Sequence, residues 1–194
     1  MERRRIFAFR LLVALFACLQ VACSDSKKSK ESIQKVAQLE KVEVKKLGEK
    51  HWKIYTDIII DAPVEKVWKT LMDFENAPNW SSSFQGIKEE LVDESKVTVL
   101  YIFNGQKLEI PHTLSYTEGK EFGWSDPLGG PLKGFRDNHK YIVEKISDSK
   151  TKFIQTDDFK PIGESNMTSY DIASRTAKSY PIFNRELKQE AEKN

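Results

Sequence analysis

From residue 51 the chain switches between a two-residue and a 3.6-residue rhythm of apolar positions, and each switch predicts an element. Trp52 to Ile60 is β-branched and aromatic and runs into Asp61-Ala62-Pro63, which predicts a strand and a turn. Val64, Val67, Trp68 and Leu71 recur at i, i+3, i+4 and i+7, so an amphipathic helix follows. Pro63 lies near its first position and Asp61 is the nearest capping side chain. Pro78 and the Ser81-Ser82-Ser83 run leave room for little more than one helical turn between Phe74 and Phe84. Ile87 to Phe159 has period two, the mark of an antiparallel meander. It is broken at Asn104-Gly105, Gly119-Lys120, Gly129-Gly130-Pro131 and Ser147-Asp148-Ser149. Met167, Tyr170, Ala173, Ala177, Tyr180, Phe183, Leu187 and Ala191 recur at three- and four-residue steps. They predict a long closing helix with a kink near Pro181.

Before residue 51 the pattern is different. Arg3-Arg4-Arg5 and Arg10 precede an apolar run from Leu11 to Ala22 in which Gln20 is the one polar residue. This is a secretory signal, too short for a helix that must cross roughly 30 Å of hydrocarbon. Residues 24 to about 50 are rich in Lys, Ser, Glu and Gln and have no aromatic residue, as a solvated tether would. Within it Ile33, Val36, Ala37 and Glu40 have helical spacing, but so short an isolated helix is marginal in water.

Composition narrows the class. The 194 residues hold 31 Lys+Arg against 29 Asp+Glu, a formal charge of +2 with both signs interspersed, which argues against a nucleic-acid partner. An aromatic content of 11% excludes a disordered chain, and the length suits one domain. Both cysteines, Cys18 and Cys23, lie in or beside the signal, so the rest of the chain has no internal disulfide and no thiol nucleophile.

Ala22-Cys23 followed at once by Ser24-Asp25-Ser26-Lys27-Lys28 resembles a bacterial lipoprotein signal, with Leu15-Phe16-Ala17-Cys18 as a competing frame. The resemblance implies cleavage before Cys23, acylation of that cysteine and attachment to the cell envelope. Ser24, in place of an aspartate that would hold the protein at the inner membrane, tilts the reading toward the outer membrane. The expected organisation is therefore a signal peptide over 1–22, the lipid-attachment cysteine and flexible tether over 23–50, and one domain over 51–194.

The order strand, two short helices, meander, long helix is joined by particular residues: Asp61-Ala62-Pro63 with Val67-Trp68, Asp73-Phe74 through Trp80, Trp124 before the Gly129-to-Gly134 loop, and His139-Lys140-Tyr141 with Phe153-Ile154-Gln155. Together they resemble the helix-grip superfamily of START-like and polyketide cyclase/dehydrase-like domains, over about residues 50 to 190. The resemblance implies an α+β fold, a curled antiparallel sheet wrapped around the long C-terminal helix. It also implies a cavity that in relatives takes apolar or amphipathic small molecules. It implies no shared chemistry, because one fold hosts many functions.

Alternation places Leu108, Ile110, His112, Leu114 and Tyr116 on one strand face, His139, Tyr141 and Val143 on another, and Phe153, Gln155, Asp157 and Phe159 on a third. A turn near Asp148 or Ser149 sets His139 opposite or diagonal to Asp157. Two readings stay open. His139 could be a general base oriented by Asp157, as a cyclase would need. Alternatively His112, His139, Gln155 and Asp157 are buried polar groups that satisfy one another or a ligand head group, which is the preferred reading. Trp80, Tyr101, Trp124, Tyr141 and Tyr170 complete the candidate cavity lining, although large aromatics are also ordinary core. The histidines lack metal-ligand spacing, no Gly-x-Ser-x-Gly elbow exists and no cofactor is expected. The expected function is an envelope-tethered domain that binds a hydrophobic or amphipathic small molecule without transforming it. A cyclase/dehydrase-type enzyme and a protein-interaction module are the alternatives.

Overall fold

The computed structural model describes residues 40–193; the signal segment, Cys23 and the tether up to residue 39 lie outside the described residues. Its elements are β1 (Glu40–Gly48), β2 (His51–Ile60), α1 (Val64–Met72), α2 (Ala77–Trp80), β3 (Phe84–Ile87), β4 (Lys96–Phe103), β5 (Gln106–Thr117), β6 (Glu121–Trp124), β7 (Phe135–Arg136), β8 (His139–Ser147), β9 (Lys150–Pro161) and α3 (Ser169–Ala191). A single 3-10 turn, Gly130–Leu132, lies between β6 and β7.

The strands form one antiparallel sheet in the order β1-β2-β9-β8-β6-β5-β4-β3, with β7 paired to β9. The alternation read from the sequence is what builds it. In β2, Ile54, Thr56, Ile58 and Ile60 point inward, and β5 and β8 bury His112, Leu114, His139, Tyr141 and Val143. Asn104 and Gly105 both have positive φ, 50° and 75°, as the two central residues of a primed hairpin turn require. The sheet is a meander from β3 to β9, but β2 lies against β9, so α1 and α2 carry the chain from one side of the sheet to the far edge at β3.

α1 buries Val67, Trp68 and Leu71, the face its spacing predicts. Its N-cap is Pro63, which has no capping side chain, and the Pro63 carbonyl accepts from the backbone N–H groups of Lys66 and Val67. Asp61, expected as the cap, instead pairs with Lys150 and approaches Lys188 at 3.9 Å, because those cations from β9 and α3 meet it across the sheet end.

The N-terminus of α3 is fixed by a capping box, Thr168 with Asp171. Ser169 ties it to the sheet: its hydroxyl accepts from the Trp52 N–H at 2.9 Å and donates to the Phe159 carbonyl at 2.7 Å. The helix is continuous through Pro181, which is buried, as are Ile172, Ala173, Phe183, Asn184 and Leu187.

One expected boundary is corrected. Residues 40–48, assigned to the tether from composition, form β1, paired with β2 from Glu40↔Ile58 to Gly48↔His51. Val44 packs against the apolar cluster under β2, and the Glu40 carboxylate, 11% exposed, meets Arg185 of α3 at 2.9 Å. β1 is an edge strand with most residues exposed, so it needs no apolar face and its composition looks like that of a linker.

Candidate functional site

The interior between sheet and α3 divides into two apolar clusters and a polar one. The larger apolar cluster is aromatic at its centre. Phe84, Phe122, Tyr141, Phe153 and Phe183 are almost fully buried, and the ring of Tyr141 lies 4.9 Å from Phe122, 5.3 Å from Phe183 and 5.6 Å from Phe84. These rings pack against one another at the centre of the cluster. The second cluster, Ile54, Phe135, Phe159, Ile172 and Ala173, lies toward the N-terminus of α3, with Trp52, Met167 and Tyr180 packed against it.

The polar cluster is built where β8 and β9 face α3. The register Lys140↔Thr156 and Tyr141↔Gln155 continues to set His139 opposite Asp157, as the turn position predicted. Their connection runs through a residue the sequence reading did not choose. The Tyr180 hydroxyl donates to Asp157 Oδ2 at 2.8 Å and lies 3.3 Å from His139 Nδ1, and the two rings stack 5.0 Å apart. Gln155 Nε2 is 3.0 Å from His139 Nε2, and the Asn138 backbone N–H donates to Asp157 Oδ1 at 2.9 Å. Beyond Trp124, whose indole lies against both histidine rings at 4.8 Å, the His112 Nδ1 meets Asp126 Oδ2 at 3.2 Å. The Asp126 N–H in turn donates to Asp137 Oδ1 at 3.0 Å.

Burial sets the protonation of these groups. It lowers the pKa of His139 to about 3, with His112 adding to the effect, so His139 is neutral at ordinary pH. Burial also lowers that of His112, against the pull of Asp126. The Asp137 carboxyl is pushed up to about 7, mostly by burial. Asp157 is raised well above the usual carboxylate range by burial and then by Asp137. The hydroxyls of Tyr101, Tyr141 and Tyr180 are raised by burial and stay protonated. The site is thus a set of largely uncharged donors and acceptors enclosed by aromatic rings.

A groove of about 1360 Å³ opens at the end of the molecule where α3 begins. Trp52, Phe135, Met167 and Tyr170 supply its apolar lining, and Lys50, Lys133, Glu49 and Glu164 its charges. The excursion between β6 and β8 that carries Gly129 to Gly134 contributes Gly130 and Lys133 to one wall. Trp52, Phe135 and Met167 line the groove and belong to or pack on the second cluster, and Tyr180 of the polar cluster packs on that same cluster.

Of the residues expected to line the site, the structure brings together His112, Trp124, His139, Tyr141, Gln155 and Asp157, with Tyr101 at 6.3 Å from Trp124. Trp80 lies apart from the polar cluster, 5.6 Å from Phe183. Tyr170 lies apart from the polar cluster: it is 49% exposed, lines the groove and stacks edge-on against Trp52. Tyr180, Asn184, Asp137 and Asn138 were missed. Tyr180 and Asn184 were within reach, since they continue the Ala173-Ala177 face of α3 at steps of three and four.

The fold is that of the helix-grip class, an α+β domain in which an antiparallel sheet packs on a long C-terminal helix. Residues 51–192 match the family described as polyketide cyclase / dehydrase and lipid transport, and the chain belongs to that family. Among solved structures it is similar to the di-domain ARO/CYC BexL from the BE-7585A biosynthetic pathway (15% identity, TM-score 0.60, 72% of this chain and 46% of that one). It is likewise similar to a START superfamily protein from Mycobacterium smegmatis (14%, TM-score 0.57, 72% and 97%). The third is the Zhui aromatase/cyclase from Streptomyces sp. R1128 (13%, TM-score 0.56, 73% and 94%). At these identities the likeness is one of fold. No curated protein sequence matches.

Proposed function

We propose that this protein is an exported, lipid-anchored binding protein that holds a hydrophobic or amphipathic small molecule and leaves it chemically unchanged. The observation that carries the reading is a buried cluster of neutral polar side chains, His139, Gln155, Asp157 and Tyr180, set among aromatic rings and adjoining the apolar floor of an open groove. An amphipathic ligand would lay its apolar body along the second cluster and its polar end against these groups. Each 100 Å² of apolar surface it buries contributes roughly 2.5 kcal/mol before entropy costs. Entry requires the Tyr180 side of the second cluster to part. The Gly129-to-Gly134 loop is the element placed to allow it.

The family and two of the similar structures, named aromatase/cyclases, keep a cyclase reading in view. Against it stands the protonation of His139: a base with a pKa of about 3 removes protons weakly near neutrality. Attachment through Cys23 to the cell envelope, with the outer membrane favoured, completes the proposal and accords with a carrier held near lipid.

Native mass spectrometry of the protein purified from a bacterial host without detergent tests binding. A stoichiometric apolar adduct that is released unchanged on denaturation is the expected result. A ligand whose mass changes with time on the protein would replace carrier by enzyme. Failure of every lipid-like or aromatic probe to bind would remove the small-molecule reading.

A further inference from the structure

The same polar cluster indicates what kind of head group it accepts, an inference that rests on the small-molecule reading above. Two buried side-chain amides are incompletely paired. Asn184, with no exposed surface, donates from Nδ2 to Thr56 Oγ1 at 2.9 Å, while Thr56 donates its one hydroxyl proton to the Gln155 carbonyl at 3.0 Å. This fixes the Asn184 orientation and leaves Oδ1 as an acceptor with no hydrogen bond in the protein. Gln155, 2% exposed, has the same shortfall: one amide atom faces His139 Nε2 and Oε1 has no protein partner. The protons of the Asp157–Tyr180–His139–Gln155 chain can run in either direction, because burial lets Asp157 hold a proton. Reversal turns the Gln155 amide over and leaves a donor in place of an acceptor. In both states one amide atom stays unpaired, which is costly for a buried polar group.

Thr56 connects these two amides. Thr56 is the Cα partner of Gln155 on the neighbouring strand, and Asn184 is one helical turn beyond Tyr180. The acids of the cluster, Asp137 and Asp157, are buried and held toward their uncharged form, and no lysine or arginine is buried among the described residues. A hydroxyl group donates and accepts, so it satisfies Asn184 Oδ1 and either state of Gln155. A carboxylate offers no donor to Asn184, finds no buried cation and meets the same burial that disfavours charge on the two aspartates. We propose that the site selects apolar molecules ending in an uncharged hydroxyl group and rejects their carboxylate counterparts.

The test uses the full-length chain and a matched pair, decan-1-ol and decanoate, each displacing the neutral fluorophore N-phenyl-1-naphthylamine at pH 7.5. Preference for the alcohol by about tenfold or more is expected, the scale of one unmet polar group. Gln155→Leu and, independently, Asn184→Leu should each lower alcohol affinity about tenfold without raising that of decanoate, with circular dichroism confirming the fold of each variant. Equal or tighter binding of decanoate overturns the inference and leaves the binding reading standing. So does an alcohol preference unchanged in both folded variants. Displacement by neither compound, together with no bound fluorophore, removes the binding reading itself.

Discussion

Asp137 and His139 lie two residues apart and are both buried, yet burial moves their titrations in opposite directions. Asp137 has its pKa pushed up to about 7 in the folded protein against roughly 3.9 in the unfolded chain, so the fold holds a proton the unfolded chain has lost. Its stabilising contribution is complete below about pH 4 and disappears as pH rises through about 7. His139, lowered to about 3 against roughly 6.5, contributes fully above about pH 6.5 and loses that contribution as pH falls toward 3. Asp137→Asn should therefore gain in Tm relative to the wild type between about pH 5 and pH 8, and His139→Gln should gain as pH falls below about 6. Thermal melts at four pH values check both. A difference between Asp137→Asn and the wild type that stays flat over this range would mean that the carboxyl is not held protonated. At this scale the sequence was informative about which strand residues face inward, because period two assigns His112, His139, Gln155 and Asp157 to buried faces whatever lies opposite. It was uninformative about Tyr180, since a tyrosine on a helix stripe looks the same whether its hydroxyl reaches solvent or a buried aspartate.

Among the elements, β6 is the one with least tolerance. It is four residues long and lies between β5 and β8, with Gly123 between Ser115 and Lys140. A Cβ at Gly123 would stand 2.0 Å from the His139 carbonyl oxygen, a backbone atom that cannot move without its strand. Gly123→Ala should cost about 1–3 kcal/mol and lower Tm by several degrees. It should also perturb the near-ultraviolet signal of Trp124, the next residue. An unchanged melt would show that β6 and β8 can separate at little cost. The helices and the hairpins at Asn104-Gly105 and Ser147-Asp148-Ser149 were legible because each is specified locally, by a 3.6-residue stripe or by turn residues. β1 was not. A strand with both faces largely in water has no apolar rhythm to show, and it is strand only because β2 offers it an edge.

For the whole molecule, the family match begins at residue 51, whereas β1 starts at Glu40, so this strand lies ahead of the matched residues. It shortens the proposed tether to residues 24–39. The anchoring proposal is tested by metabolic labelling with an alkyne-bearing fatty acid in a bacterial host. The wild type and Cys18→Ser should take the label into the membrane fraction, and Cys23→Ser should lose it. Label that persists on Cys23→Ser would move the attachment to Cys18, and no label on the wild type would end the lipid-anchor proposal.

The fold class came from the resemblance to the helix-grip superfamily; the sequence by itself determined the order of elements after residue 51 and the inward faces of the strands. Those properties are set by periodicities a few residues long, and a chain must satisfy them wherever its parts finally pack. The tertiary structure alone decided that β2 lies against β9, that aromatic rings fill the centre and that Tyr180 joins His139 to Asp157. It also decided that the open groove lies at the start of α3. Each of these depends on residues 20 to more than 100 positions apart meeting at particular distances. No local pattern encodes such a meeting, because it follows from how the sheet curls and where the helix comes to rest.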